Sequence, residues 1–192
     1  MGVVFRRRRS VDIATGGREN TGDSSRARRL ILVAGSLDEW ADFSEAEWSS
    51  RLETVGAAGA AAGIESLRIV PVAGDRRGSS SVVRREVRVD GCRVVADPRP
   101  DGRANLVDAI NEMSEPISEE SIQKMVGASG GDVDLVIVLG GSPVLPKALV
   151  WELAYAELVY VDANWTTLSG EHVRRSLDEF AVRQRRFGGV TE

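Results

Sequence analysis

Apolar positions recur along this chain in two rhythms, and each predicts a different element. "RLILVAG" (Arg29–Gly35) is a short aliphatic run closed by glycine, which predicts a buried strand. In "DFSEAEWSSRLETVGAAGAAAG" the spacing becomes helical: Trp48, Leu52, Val55, Gly59 and Ala62 share one face. Ser44 and Glu47 form a capping-box pair at its start, and Gly63 is a natural C-terminal stop. "ESLRIVPVAG" predicts the next strand, where Pro71, lacking a donor, suggests an edge or a bulge. "GDRRGSSS" reads as a loop. "VVRREVRVDGCRVVAD" reads as two strands joined by a tight turn at Asp90–Gly91.

The second half continues the alternation. Leu106, Ile110 and Met113 predict a helix beginning near Gly102–Ala104, and Ser118 caps a second, short one. "DVDLVIVLGG" is a continuous aliphatic run closed by Gly140–Gly141, the pattern of a strand buried on both faces. Beyond "SPVLP", residues Lys147–Leu158 are apolar on nearly all sides and predict a buried helix. "LVYVDANW" turns out of it. Ser169 caps a last helix that buries Val173, Leu177 and Phe180; Arg183, Arg185 and Arg186 fall in its final turn and Gly188 ends it. Strands alternating with helices predict an α/β layered domain over residues 29–192, with a mostly parallel central sheet flanked by helices.

Composition refines this picture at the N-terminus. The chain has 192 residues, 42% hydrophobic and 28% charged, which suits one globular domain. Residues 1–28, with Arg6–Arg9, hold too little apolar surface to offset chain entropy and are predicted disordered. They read as a solvated basic tail. The alternative is peripheral contact with an anionic membrane, at about 1 kcal/mol per basic residue. The net charge of −4 makes no case for nucleic acid. A single cysteine, Cys92, suits a reducing cytoplasm, and a single histidine, His172, argues against a histidine-based metal site. No apolar run approaches the roughly 18 residues of a membrane span. The start shows no secretory h-region, and Arg6 stands where a myristoylation motif requires Ser or Thr. The phosphate-binding glycine motifs and the GxSxG elbow are absent. Cys92 reads as core and His172 as a solvated residue of the last helix.

The C-terminal third resembles the cis-prenyltransferase family of undecaprenyl diphosphate synthases. The resemblance rests on "DLVI", "GG", "WELAYAELVYVD", Trp165 and "RQRRFGG", dense over Asp132–Gly189 and weaker upstream through "GRANLVDAI" and "LILVAGSLDEWA". It implies joining of isopentenyl diphosphate to an allylic diphosphate, with magnesium and arginines neutralising the leaving diphosphate. The family pattern places an aspartate after the first strand, an arginine before the glycine pair and an Arg-x-Ser after it. A glutamate then assists with magnesium, and a C-terminal Arg-x-Gly reaches a diphosphate across a dimer interface.

This chain departs from that pattern. Gly35 stands at the aspartate position, Glu39 at a neighbouring arginine, Val138 at the arginine before the glycines, and Val144 and Pro146 at the Arg-x-Ser pair. Valine offers phosphate neither charge nor donors, and each lost donor costs about 3 kcal/mol of transition-state stabilisation. The short loop after Gly74 also leaves no helices to wall a product tunnel. Glu157, a candidate magnesium ligand, and Arg186–Phe187–Gly188 are retained. Glu152 is expected near the surface or an interface, and Asp162 in the turn that follows. The implied role is an accessory subunit, resembling the Nogo-B receptor type. It would offer Arg186 and the Gly188 N–H to isopentenyl diphosphate in a catalytic partner whose site holds Mg2+. The alternatives are a self-sufficient enzyme of short product that binds diphosphate through Arg76, Arg77 or Lys147, and a non-catalytic binding or regulatory protein on the same fold.

Overall fold

A computed structural model of the chain describes residues 26–72, 82–126, 132–141, 145–154 and 156–187, with side chains as far as residue 183. Residues 1–25 of the tail and the predicted loop before Val82 lie outside these residues, whereas Arg26–Arg28, predicted disordered, belong to the domain: Ala27 is buried in the core and the Arg28 N–H donates to Asp134 Oδ2 at 2.8 Å. The elements follow in order: β1 (Arg29–Val33), α1 (Leu37–Asp42), α2 (Glu45–Ala62), β2 (Ser66–Val70), β3 (Arg85–Val89), β4 (Cys92–Ala96), α3 (Gly102–Glu112), α4 (Glu119–Val126), β5 (Leu135–Leu139), β6 (Glu157–Val161) and α5 (Gly170–Phe187). One six-stranded sheet runs β3-β4-β2-β1-β5-β6. Five strands are parallel and β3 is antiparallel to β4.

The strand period of two divides the core between the faces of this sheet. Leu30, Leu32, Leu67, Ile69, Leu135 and Ile137 pack with Trp48, Leu52 and Val55 of α2 and with Val173 and Phe180 of α5. Ile31, Val33, Val70, Val136 and Val138 point the other way, under Ala148 and Leu149. β5 is buried at every residue, as its unbroken aliphatic run requires.

Local chemistry sets most boundaries as the pattern predicts. Ser44 and Glu47 form a reciprocal capping box, and Gly63 ends α2 at φ 80°. Asp90 and Gly91 both take positive φ, 46° and 90°, which gives the two-residue hairpin turn its twist. Asp101 caps α3, and Ser118 accepts the Ser121 N–H at the start of α4. At α5, the Ser169 N–H reaches His172 Nδ1 at 3.2 Å, so the histidine serves the cap and is half-buried rather than simply solvated.

Two expectations fail. Lys147–Leu158 is not a helix: a single 3-10 turn spans Glu152–Ala154, and Glu157–Val161 becomes β6, paired residue for residue with Leu135–Leu139. An all-apolar run carries no period that separates buried helix from buried strand, and pairing with β5 decides it. Pro71 marks neither an edge nor a bulge. β2 is interior, between β1 and β4, and stops at Val70, so the proline follows the last paired residue. A further element, α1, has its signal in Ser36 and Glu39, a second capping box.

The outer strand β3 carries charge. Glu86 binds Arg93 at 2.6 Å and Arg84 at 2.9 Å, and the bonded Arg93 guanidinium chiefly holds its carboxyl at about 2. Arg85 pairs with Glu45 and lies over the Trp48 ring. No helix among the described residues is long and apolar enough to cross a membrane.

Close approach of α2 to the hairpin yields a test. A Cβ at Gly56 would lie 2.7 Å from Val89 Cγ2. Gly56→Ala gains about 1 kcal/mol of helix propensity but overpacks by about 2 kcal/mol. The expected outcome is a net loss of about 1 kcal/mol, read as a lower urea midpoint at unchanged m.

Candidate functional site

The chain leaves β1 toward β2 and β4, then crosses back to place β5 on β1's other side. That reversal makes a topological switch point, where α/β sheets bind ligands beyond the carboxyl ends of their strands. Here the crevice is bounded by Gly35 and Ser36 after β1, by Gly140 and Gly141 after β5, and by Asp162 after β6. Gly35, Gly140 and Gly141 all have positive φ, at 68°, 102° and 64°.

An aromatic cluster fills this crevice beside Gly35, while the space at Gly140 stays open. A Cβ at Gly35 would lie 2.8 Å from Trp165 Cδ1 and 3.1 Å from Trp40 Nε1. Trp40, Trp48 and Trp165 are each 1% exposed. Trp40 meets Trp48 edge-on, with centroids 5.1 Å apart, and Trp48 lies 6.1 Å from Trp165. Trp40 Nε1 donates to Ala34 O at 2.8 Å, which ties its indole to the end of β1. Arg51, missed by the sequence reading, locks the far side. Its guanidinium sits 4.7 Å from the Phe43 ring and 5.2 Å from the Trp165 ring and donates to the Trp165 and Thr166 carbonyls.

The start of α1 is self-occupied as well. Glu39 Oε2 accepts the Ser36 N–H at 2.7 Å, and Ser36 Oγ accepts the Glu39 N–H at 3.2 Å. The donors that would attract an anion already hold the chain's own carboxylate. Val138 is 3% exposed and packs beneath Ala148 and Leu149. Pro146 is buried and Val144 lies outside the described residues. Asp162 is exposed, beside Gly141. Among the described residues no group of three His, Cys, Asp or Glu side chains could hold a metal ion. Glu39 is taken up by the Ser36 N–H, which leaves Asp162 as the carboxylate at this crevice among the described residues, and no cation stands among its boundary residues to hold a diphosphate beside magnesium.

The retained residues lie elsewhere. Glu157 opens β6 opposite Leu135, at the amino end of the parallel strands, whereas the crevice lies at their carboxyl end. Its N–H donates to Asp134 O at 3.0 Å. α5 runs back along β6, and Arg183 donates to Leu158 O at 2.9 Å. The last turn of α5, which contains Arg186, therefore lies at the same end as Glu157. The Arg186 side chain and Gly188 are outside the described residues.

Buried charge collects on the sheet face away from α2. Glu152, expected near the surface, is 6% exposed and pairs with Arg68 of β2. A carboxylate can be buried there because the guanidinium meets it. Asp97, after β4, accepts the Arg99 guanidinium at 2.7 and 2.9 Å. Burial pushes its carboxyl up, but the Arg99 bonds and charge, with Arg68 beyond, outweigh this and hold it below the ordinary range. The i,i+2 spacing in "DPR" was the available signal.

Comparisons with known proteins bear on the fold and on the C-terminal half of the chain. Residues 96–188 match the family model described as putative undecaprenyl diphosphate synthase. An isoprenyl transferase of Fusobacterium nucleatum is 35% identical over 92 residues, 46% of this chain and 40% of that protein. A ditrans,polycis-undecaprenyl-diphosphate synthase of Yersinia pseudotuberculosis, named as specific for (2E,6E)-farnesyl diphosphate, is 32% identical over 113 residues, 53% of this chain and 45% of that protein. These matched stretches take in less than half of each relative. Among solved structures, a probable undecaprenyl diphosphate synthase from Campylobacter jejuni covers 85% of this chain and 99% of its own, with a TM-score of 0.55 and 15% identity. Lavandulyl diphosphate synthase from Lavandula x intermedia, in complex with dimethylallyl diphosphate, covers 87% and 100%, with a TM-score of 0.60 and 13% identity. The α/β fold is that of the cis-prenyltransferase structures.

Two predictions follow from the packing. Gly35→Asp places a side chain at positive φ against Trp165, so stability falls by about 3 kcal/mol in chemical denaturation. Asp97→Asn removes a carboxylate whose folded pKa is depressed. Its contribution is present above the unfolded value of about 3.9 and fades as pH falls through the folded value. The difference in melting temperature between wild type and Asp97→Asn is therefore large at pH 7 and shrinks below about pH 4.

Proposed function

We propose that this chain, which the match over residues 96–188 and the fold support as a member of the cis-prenyltransferase family, is an accessory subunit whose own pocket is degenerate. It pairs with a catalytic prenyltransferase that makes polyprenyl diphosphate from isopentenyl and allylic diphosphates. The Mg2+ belongs to the partner's site. The observation that carries this reading is the Trp165 indole seated against Gly35, where the family pattern has an aspartate. Val138 adds to it, an aliphatic side chain buried where a phosphate would meet an arginine.

The position of the retained motifs also supports the reading. Glu157 and the turn bearing Arg186 share the end of the sheet opposite the crevice. Groups placed there cannot serve chemistry at the carboxyl end of β1 in the same subunit. In this proposal Arg186 binds the diphosphate of isopentenyl diphosphate bidentately in the partner's site, and the Gly188 N–H donates to the same group.

The test is a steady-state assay with isopentenyl and allylic diphosphates, on the chain alone and with the prenyltransferase that co-purifies with it. The expected outcome is no turnover alone and turnover in the complex. In that complex Arg186→Ala raises KM for isopentenyl diphosphate at least about tenfold, as loss of a charge-assisted bond predicts, while assembly is unchanged. Ordinary turnover by the lone chain would establish a self-sufficient enzyme instead. Absence of any prenyltransferase partner would leave the binding-protein reading.

A further inference from the structure

The C-terminal half of α2, "VGAAGAAA", is apolar all round, although the helix lies on the surface. Val55, Gly56 and Gly59 face the core, while Ala57 and Ala61 are exposed and Ala58 and Ala62 half-buried. Between this bare face and the first turns of α5 runs a groove of about 630 Å³, lined by Thr54, Ala57, Ala58, Ala61, Gly170 and Asp178. A helix apolar on every side is normally covered, so something is expected to lie here.

The chain itself points to the occupant. Arg26, the first described residue, folds back onto the C-terminal end of α2, where its Nε donates to Ala62 O at 2.9 Å. Its guanidinium fills the space a side chain would need at Gly63. The preceding 25 residues thus join the domain at the mouth of the groove. They contain Val3–Val4–Phe5 directly before Arg6–Arg9. From Phe5 to Arg26 the chain can span up to about 70 Å, while the groove from Ala62 to Thr54 is about 12 Å long.

Charge favours the same occupant. Residues 1–25 hold five arginines against three acids, so the remainder of the chain carries −6 of the total −4. Asp178 lines the groove and exposed Glu53 lies one helical turn before Ala57, whereas the lining cation Arg174 is engaged by Glu171. A second copy would bring two bodies of like charge together, which repel. We propose that the α2–α5 groove seats this chain's own Val3–Phe5, with Arg6–Arg9 laid against Glu53 and Asp178. Phe5 supplies the largest apolar area at low entropic cost.

Disulfide trapping in the full chain tests this. Native Cys92 is 1% exposed and does not compete. Phe5→Cys is combined either with Ala61→Cys in the groove or with Val107→Cys, a 55% exposed position on α3 at the other sheet face. Oxidation of dilute protein is followed by mass spectrometry. Intrachain closure is expected about tenfold faster to position 61 than to 107, because docking raises effective concentration. Adding Val3→Ser and Val4→Ser brings the two rates together. Equal rates in the starting pair overturn the proposal, and so does cross-linking between chains, which would identify a second copy as the occupant. Ala57→Cys gives the same reading should the position 61 variant fold poorly.

Discussion

The contact between the Trp165 indole and the bare Cα of Gly35 ties the two halves of this protein together. Trp165 lies in the turn between β6 and α5, and Gly35 follows the end of β1. Only a residue without a side chain admits the indole, and only a residue at ease with φ 68° can make that turn. Once the indole is seated, Phe43, Trp48 and Arg51 close around it, which orients α2 against α5. The same contact occupies the space where α/β sheets of this order receive ligands. The volume that strengthens the core beside Gly35 is volume that no ligand can enter.

The sequence made the fold legible where a single period ran to a chemical stop. β1, β5, α2, the hairpin and α5 are all of this kind, with Gly63 and Asp90–Gly91 as explicit stops. It misled over Lys147–Leu158, where aliphatic residues on every side erase the period and only the open edge of β5 selects a strand. The site was legible through absences, since Gly35 and Val138 can be seen to lack charge. That an indole fills the gap could not be read, because Trp165 lies 130 positions from Gly35 and tertiary packing alone brings them together. The Arg68–Glu152 pair was hidden for the same reason. Glu152 was read within a helix, and its partner sits 84 residues away on β2.

That pair also explains how the second sheet face stays closed. The Ala148–Ala154 segment covers Ile31, Val33 and Val138 with few side chains of its own. Glu152 anchors it through a salt bridge whose members have side chains 3% and 11% exposed. Removing one member of such a pair strands a charge in the interior, at about 3–5 kcal/mol. The segment is therefore held down electrostatically where an apolar helix would have been held by area. The close approach of Gly102 to the Ala148 carbonyl shows how tightly α3 is drawn against it.

The charged outer strand has a consequence for higher-order assembly. Glu86, Arg84 and Arg93 hold one another on and beside β3, and Arg85 reaches back to α2, so an incoming backbone would have to displace salt bridges to pair there. At the opposite margin Arg183 already takes a carbonyl of β6. Continuous intermolecular β-sheet is thereby discouraged at both borders. Association with any other polypeptide is left to side-chain surfaces, and the protein is guarded against fibre-like stacking.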